Sequence, residues 1–370
     1  MSAFVILLVL AALCVLSGAV LQRVGLRGLT CTRAFSRQAV FQGEEAEMIE
    51  VVRNDRPVVI PWLRVESHIS PYLRLGKQDN LHVSDEMYYC SLFTHMPYQQ
   101  IRRRHRVRFL HRGYYDLGNA SLTAGDVLGL YQCSREQAMS VPVTVYPRLL
   151  GEDEVPEPLA RLIGETAARR QLLTDPFLVR GIRPYQPGDP VRDIHWPATA
   201  RMGDTQLRVR DYTAQTRLLV VFNAQRTANQ WGEIIMDYEE GAIEEEISMA
   251  ATLCVMALRM GLPAGFAANM PMDRGTESAL FLPVTGRARE EELLTAFAHL
   301  TVKRTLRFVT FLETLTSLTG MDMLILSCYD SEEVQQAIGK LRRAGNQVTL
   351  HLLDAGRGKP HATSRRGFPA

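Results

Sequence analysis

The feature that most constrains this chain is an uncharged apolar run at its N-terminus. It reads AFVILLVLAALCVLSGAVL over residues 3–21, and no charged side chain precedes Arg23. A helix of this length is about 28 Å long, close to the thickness of the hydrocarbon core of a bilayer. The run therefore predicts a transmembrane helix over residues 3–21.

Two other interpretations of this run stay open. A secretory signal peptide would use Ser17 and Ala19 as the small residues of a cleavage site, but no positive side chain precedes the run. A buried helix of a soluble core is the second alternative, although uncharged runs of this length at an N-terminus seldom serve that purpose. A membrane anchor is the interpretation that the composition favours.

The charges that follow the run predict its orientation. They are Arg23, Arg27, Arg33 and Arg37. Positive side chains collect on the cytoplasmic side of a membrane, so we expect a single-pass protein of the cell membrane with a cytoplasmic bulk. The 6 cysteines form no C-x-x-C pair, which fits a reducing compartment and offers no zinc or iron–sulfur spacing.

Composition limits the class of the remaining chain. Hydrophobic residues make up 46% and charged residues 22% of the 370 residues, which excludes a fibrous or wholly disordered protein. Lys+Arg 42 against Asp+Glu 40 leaves a net charge of +2, too balanced for a protein whose main role is nucleic-acid binding. At about 150 residues per domain, the length predicts two or three domains.

Residues 30–148 have the pattern of an antiparallel β-sandwich-like domain. Short runs of alternating residues, such as Val58–Val65 and Gln100–Leu110, are separated by Gly, Asn, Asp and Pro. One run is rich in arginine, at Arg102, Arg103, Arg104, Arg106 and Arg108. It is either a strip that binds lipid or phosphate or, as is commoner, the solvated face of an edge strand.

Residues 202–354 alternate helices and strands, which predicts a doubly wound α/β domain with a parallel sheet. The run Leu218–Phe222 is apolar throughout, as in a strand buried on both faces, and Glu239–Met260 has a clear helical period. Residues 156–201 form a linker helix and a signature loop, and residues 355–370 have the composition of a disordered tail. The fold class is thus α+β multidomain.

The signature loop concentrates arginine, aspartate and tryptophan. Its candidate residues are Arg180, Gly181, Arg183, Tyr185, Pro187, Gly188, Asp189, Arg192, Asp193, Trp196 and Arg201. Three interpretations are open: a clamp that fixes the loop onto the α/β domain through Arg–Asp pairs and a buried tryptophan, a surface that docks a partner, or a catalytic loop. Arginine and tryptophan dominate interface hot spots, whereas the Asp193/His195 pair has no accompanying nucleophile motif.

The signature loop resembles the bacterial family called domain of unknown function 58. The shared pattern is R-G-x-R-x-Y-x-P-G-D-x-x-R-x-I-x-W-x-x-x-A-R, and landmarks at Asp126–Leu130 and Val143–Pro147 extend the resemblance. The resemblance implies an N-terminal membrane segment, a β-rich segment and a von Willebrand factor A-like domain. It also implies association with a MoxR-type AAA+ ATPase.

The resemblance further allows a test of metal binding. A von Willebrand A-type domain binds Mg²⁺ through D-x-S-x-S after its first strand, and the matching positions are Asn223, Gln225 and Thr227. Asn223 removes the carboxylate that Mg²⁺ prefers, and Arg226 adds a positive charge. We therefore expect a degenerate site that holds no metal, and no cofactor.

Motifs of common enzymes are absent from the sequence, including the P-loop, the dinucleotide-binding glycines, H-E-x-x-H and G-x-S-x-G. We read the scattered histidines of the β segment as ordinary surface or half-buried residues; they are His68, His82, His95, His105 and His111. The sequence predicts a non-enzymatic membrane-anchored adaptor that binds protein partners and no nucleic acid, and the resemblance implies that the partner is such an ATPase. The alternatives are an enzyme that uses the Asp193/His195 loop and an externally exposed structural protein of the envelope.

Overall fold

A computed structural model describes residues 26–353, apart from residues 77–80, 84–87, 127–130, 173, 188, 213–215, 231–234, 274 and 287, together with residues 4–6, 9, 15 and 18. The predicted transmembrane segment falls largely outside these described residues, and the predicted tail falls wholly outside them. Within the described part of the chain, no helix combines the length and apolarity needed to span a membrane. The chain divides into two compact units, residues 1–148 and residues 149–370.

The first unit consists of strands. They are β1 (Leu29–Phe35), β2 (Ala39–Phe41), β3 (Glu45–Asn54), β4 (Ile60–His68), β5 (Leu73–Leu75), β6 (Leu81–Val83), β7 (Tyr88–His95), β8 (Gln100–Phe109), β9 (Gly113–Asp116), β10 (Ala120–Gly125), β11 (Gln132–Gln137) and β12 (Pro142–Tyr146). Alternating burial, as in β1 and β3, shows that one face of each of these strands is covered.

Two antiparallel sheets make up most of this unit, in the strand orders β1-β3-β8-β5 and β11-β10-β4-β7-β6. Their inner faces share an apolar core that includes Val52 and Phe93. A third sheet, in the order β2-β12-β9, contains the parallel pair β2/β12. The arginine-rich strand β8 lies between β3 and β5, so the expectation of an edge strand is wrong, although the alternate arginines of β8 are exposed.

A buried polar network connects the two large sheets. Glu50 on β3 forms an ion pair with Arg33 on β1, with 2.7 Å between the guanidinium and the carboxylate. The Tyr89 hydroxyl from β7 donates to Glu50 at 3.0 Å and lies 2.8 Å from Nε2 of His105. His105 is therefore a buried residue, as is His95, and the expectation of surface or half-buried histidines is wrong at both.

Burial by itself would raise the pKa of Glu50. The hydrogen bond with His105 and the charge of Arg33 outweigh burial, so the pKa of Glu50 lies below its usual value. Arg33, which the sequence placed among the membrane-flanking charges, is instead enclosed by this network. The network supplies the partners that a buried charge needs and fixes how the two sheets face each other.

The second unit combines helices and strands. They are α1 (Glu157–Leu172), β13 (Thr174–Pro184), α2 (Trp196–Met202), β14 (Gln206–Tyr212), β15 (Leu218–Phe222), α3 (Asp237–Arg259), β16 (Ala264–Ala268), β17 (Ala279–Val284), α4 (Arg289–Ala298), α5 (Phe308–Thr314), β18 (Asp322–Ser327), α6 (Glu332–Arg343) and β19 (Gln347–Leu352). Short 3-10 turns lie at Glu152–Glu154, Val191–Asp193 and Leu315–Ser317.

The main sheet of this unit has the order β17-β16-β15-β18-β19. Its central strand, β15, is buried on both faces: Leu218, Val220 and Phe222 pack with α1, α3 and α4. Leu219 and Val221 pack with α5 and α6 on the other face. The later strands are thus added on both sides of β15. The multidomain α+β class with antiparallel sheets is confirmed.

Two local expectations about this unit are wrong. The signature segment is not an open loop, because β13 and β14 pair as an antiparallel hairpin. Pro176 is tolerated where the pairing register is interrupted, and Pro184 ends the strand.

The main sheet of the second unit is not wholly parallel, because β17 joins its edge antiparallel to β16. A Cβ at Gly265 would lie 2.1 Å from the carbonyl oxygen of Phe281, so this close approach requires glycine.

We predict that Glu50→Gln destabilises the first unit by about 3 kcal/mol or more, because it leaves the buried Arg33 without a counter-charge. A carboxyl with a lowered pKa contributes its stability above the pKa of the unfolded chain, about 4.3, and loses it as pH falls through the folded-state pKa. The variant should therefore also depend less on pH in the acid range. Urea unfolding at several pH values measures both effects.

The control for this experiment is Glu66→Gln. Glu66 pairs with Arg64 at 3.3 Å, but both side chains are partly exposed, and such pairs contribute at most about 1 kcal/mol. Equal stability losses in the two variants would show that the buried network does not hold the sheets together.

Candidate functional site

The signature segment is a hairpin with a structured insertion. Gly181 on β13 lies opposite Val209 on β14, and Arg183 lies opposite Leu207. Between the two strands come the 3-10 turn Val191–Asp193 and the short helix α2. We call residues 174–212 the signature hairpin.

A bidentate ion pair closes the tip of the signature hairpin. Both guanidinium nitrogens of Arg183 lie 2.7 Å from the carboxylate oxygens of Asp189. The backbone N–H of Gln186 donates to the same carboxylate at 2.9 Å, and the Tyr185 hydroxyl donates to the Asp189 carbonyl at 3.1 Å. The hydrogen bond from Arg183 lowers the pKa of Asp189, and the pKa of Arg183 is raised in turn. Both groups stay charged at neutral pH.

The base of the insertion is tied to β14 by the backbone. The N–H of Tyr185 donates to the Thr205 carbonyl at 2.8 Å, and the N–H of His195 donates to the Gln206 carbonyl at 2.7 Å. The Thr199 hydroxyl accepts from the N–H of Gln206 at 3.0 Å. The segment is therefore held largely by contacts between its own residues.

His195 serves as the N-cap of helix α2. Its Nδ1 accepts from the backbone N–H of Ala198 at 3.0 Å, which satisfies one of the donors that a helix start leaves open. An Nδ1 that accepts this hydrogen bond is occupied by the cap and is not available as a general base. The helix ends at Gly203, whose φ of 78° suits glycine.

The structure does not bury Trp196. The residue is 65% exposed, so the clamp interpretation's expectation of a buried tryptophan is wrong. Val191, Met202 and Ile182 are also exposed, although nothing in their pattern marked them in the sequence. The signature hairpin thus presents several large apolar side chains to solvent.

Positive charge accompanies these apolar side chains. The Arg192 side chain is 86% exposed and lies 4.0 Å from the carboxylate of Asp193. Arg201 on α2 is exposed too, as is Pro187. Arg180 lies on β13, but its side chain is outside what the structure describes, and so is Gly188. We call Val191, Arg192, Trp196, Arg201 and Met202 the hairpin surface.

A second group of polar side chains lies where β15 and β18 end. Asn223 and Gln225, which match the degenerate metal positions, are buried, while Thr227 is exposed. The Asn223 amide donates to the Ser327 hydroxyl at 2.9 Å, and its oxygen accepts from the N–H of Gln225 at 3.0 Å and from Asn269 at 3.3 Å. The Asn223 amide therefore has its hydrogen-bond partners within this neutral network.

A charged cluster flanks this neutral network. Arg226 is paired with Glu246, and the Cys328 sulfur lies 2.9 Å from the Arg226 guanidinium and 3.2 Å from the Glu246 carboxylate. Burial and the nearby Glu246 raise the pKa of Cys328 to about 12, so the thiol keeps its proton and donates to Glu246. A paired Arg226 puts a fixed positive charge beside the positions where a cation would bind.

Sequence reasoning found Asn223 and Gln225 but missed Asn269, Ser327 and Cys328. These residues follow or end strands β16 and β18, so their position at the carboxyl edge of the sheet was the available signal. Among the described residues, no group of three or more His, Cys, Asp or Glu side chains is placed to hold a metal ion.

Comparison with known proteins supports the family resemblance for part of the chain. Residues 181–303 match the sequence profile of the family described as DUF58, protein of unknown function. This range begins in the signature hairpin and includes Asn223, Gln225 and Asn269 of the neutral network, whereas Ser327 lies beyond it. No curated protein matches the chain significantly.

Solved structures resemble the chain only weakly. The CARDB domain of a Pyrococcus furiosus protein is 15% identical, with 32% of this chain and 93% of that chain covered, at a TM-score of 0.21. The seventh ScaB type I cohesin of Pseudobacteroides cellulosolvens is 13% identical, with 33% and 96% covered, at 0.21. A non-cellulosomal cohesin from Archaeoglobus fulgidus is 9% identical, with 34% and 94% covered, at 0.22. Likenesses this low carry no argument about fold or function.

We predict that the protein shows no Mg²⁺ or Mn²⁺ site by isothermal titration calorimetry. The reason is that Asn223 supplies no negative charge, its oxygen is already used by two donors, and the positive Arg226 stands beside it. The unfolding temperature should also stay unchanged when either metal is added. A millimolar or tighter site at this edge of the sheet would contradict the prediction.

Proposed function

We propose that this protein is a membrane-anchored, non-enzymatic adaptor that docks a protein partner on the hairpin surface. The observation that carries the proposal is the exposure of Trp196, at 65%, close in the chain to the exposed Arg192 and Arg201. Tryptophan and arginine supply a large share of the binding energy at protein interfaces.

The architecture of the signature hairpin supports docking over a purely structural role. The Arg183–Asp189 pair and the backbone bonds to β14 hold the segment in shape without Trp196 or Arg192. Side chains that are not needed for the shape, yet are presented by a stiff support, can bind a partner at a low cost in conformational entropy.

The main sheet of the second unit supports a von Willebrand factor A-like domain as its architecture. Its order, with a central first strand and an antiparallel edge strand β17, agrees with that proposal. The edge of the sheet where a metal ion would bind holds a neutral network. In this proposal no metal ion contributes to partner recognition, and side chains bind the partner instead. The hairpin surface supplies them.

The proposed partner class is a MoxR-type AAA+ ATPase, as the family resemblance implies. The positive side chains Arg192 and Arg201 fit an acidic surface on that partner, and binding should weaken as salt rises. The proposed location is the cell membrane, with residues 3–21 as a single span and the bulk of the chain in the cytoplasm. Asp193 and His195 take no catalytic role in this proposal, because His195 caps helix α2.

We predict that Arg192→Ala weakens partner binding about thirtyfold while stability changes by less than about 0.5 kcal/mol, since its side chain is exposed and its ion pair with Asp193 is long. The partner is captured from detergent-solubilised native membranes and identified, and its affinity is then measured at low and high salt. The same purified protein is used for thermal unfolding.

Arg259→Ala is the matched control. Arg259 is also an exposed arginine of the second unit, paired with Glu290 at 2.7 Å, but it lies on α3 and outside the signature hairpin. Equal losses of affinity in the two variants, or binding that does not depend on salt, would refute the hairpin surface as the docking site.

A further inference from the structure

The outer face of the β1-β3-β8-β5 sheet carries arginines in a regular row. Along β8, exposed and covered positions alternate. The exposed positions after Gln100 are all arginines: Arg102, Arg104, Arg106 and Arg108. Since successive side chains of a strand point to opposite faces, these four guanidinium groups share one face of the sheet.

Neighbouring strands extend this charge. Residues directly opposite each other in an antiparallel pair share a face. Arg74 on β5 and Glu45 on β3 both lie opposite Arg108, Glu47 lies opposite Arg106, and Arg53 lies opposite Gln100. Among the described residues, the arginine face therefore holds six arginines (Arg53, Arg74, Arg102, Arg104, Arg106 and Arg108) against two glutamates.

This excess of positive charge is local, because the whole chain has a net charge of only +2. Ion pairs on the face are solvated: Arg104 lies 3.7 Å from Glu47, with side-chain exposures of 62% and 43%, and Arg53 pairs with Asp55, with exposures of 58% and 43%. Exposed pairs of this kind are weak and screened, so they compete poorly with a denser anionic surface.

The chain connection holds the arginine face close to the proposed membrane anchor. Seven residues, 22–28, separate the apolar run from β1, and a fully extended segment of that length spans about 25 Å at most. Strand β8 is two strands away from β1, which adds about 10 Å. A bilayer that holds residues 3–21 would therefore lie within reach of the face.

We propose that the arginine face binds the anionic lipid headgroups of the bilayer that anchors the chain. Guanidinium groups bind phosphate oxygens bidentately, and the row of four along β8 presents them at one side of one sheet. Near an anionic leaflet each such charge increases partitioning about fivefold. The proposal rests on the membrane anchor of the proposed function but not on the partner or on the hairpin surface.

Arginine-specific chemical modification tests this proposal residue by residue on the full chain. The protein is placed in nanodiscs of phosphatidylcholine, with or without phosphatidylglycerol, and mass spectrometry follows the modification of each arginine. We expect the modification of Arg102, Arg104, Arg106 and Arg108 to be at least about fivefold slower in the anionic discs than in the neutral discs. Arg64, exposed on β4 of the other sheet, is the internal control and should react equally in both.

The paired variants are Arg102→Gln with Arg106→Gln on the face and Arg64→Gln on the other sheet. The first should lose most of the protection at Arg104 and Arg108, and the second should keep it. High salt should remove the protection in the wild-type chain. Because all three side chains are exposed, both variants should fold, which thermal unfolding verifies.

Equal reaction rates in the two kinds of disc, or equal protection of Arg64, would overturn the proposal. Protection by glycerol phosphate in neutral discs, at the same phosphate concentration, would also overturn it and assign the face to a free phosphate. If the chain does not co-elute with nanodiscs, the proposed anchor fails instead. Co-sedimentation of the same chain with vesicles of the two compositions then decides whether the face binds lipid.

Discussion

The bidentate pair between Arg183 and Asp189 is the contact on which the candidate site depends. It closes the tip of the signature hairpin, and the Asp189 carboxylate also accepts from the backbone of Gln186. With that turn fixed, the 3-10 turn and helix α2 follow in a defined position, capped by His195. In the proposed function, Arg183 and Asp189 build the support, while Arg192 and Trp196 recognise the partner. On that proposal, one short motif contains both a tight ion pair and exposed side chains because the two sets serve different purposes.

Charge is distributed differently in the two units. In the first unit, the Arg33–Glu50 pair is enclosed between two sheets, while the exposed arginines lie on an outer face. In the second unit, neutral amides occupy the carboxyl edge of the main sheet, and the charged cluster around Arg226 flanks them. The largely buried charges of Arg33, Glu50, Arg226 and Glu246 are thus paired, as the cost of desolvation requires.

Sequence reasoning located the strongly periodic elements well. The apolar run of β15 and the amphipathic period of α3 come from burial patterns that neighbouring residues share, and the structure has both within about two residues of the predicted bounds. The hairpin was missed because Pro176, Pro184 and Gly181 have the composition of a loop, and only pairing with β14, which is distant in sequence, makes them a strand. Strand β17 was not marked in the sequence either, and it is only the antiparallel pairing with β16 that places it at the edge of the sheet.

The candidate residues show the same limit. The signature marked Arg183, Asp189 and Trp196 as important, but residue types alone did not say which would pair with which. The structure distinguishes these residues by their exposure: Trp196 is solvated, whereas the side chain of Asp189 is mostly covered. The alternation along β8 places His105 on the same face as Val107 and Phe109, but its partners Glu50 and Tyr89 come from other strands and were not available from that pattern.

The central claim is that Trp196 is exposed in order to bind a partner, and the most direct test compares binding and stability of Trp196→Ala in one preparation. The account predicts that the affinity for the captured partner falls about thirtyfold or more, while the free energy of unfolding changes by less than about 0.5 kcal/mol. Unchanged affinity, or affinity lost only together with the fold of the second unit, would contradict it.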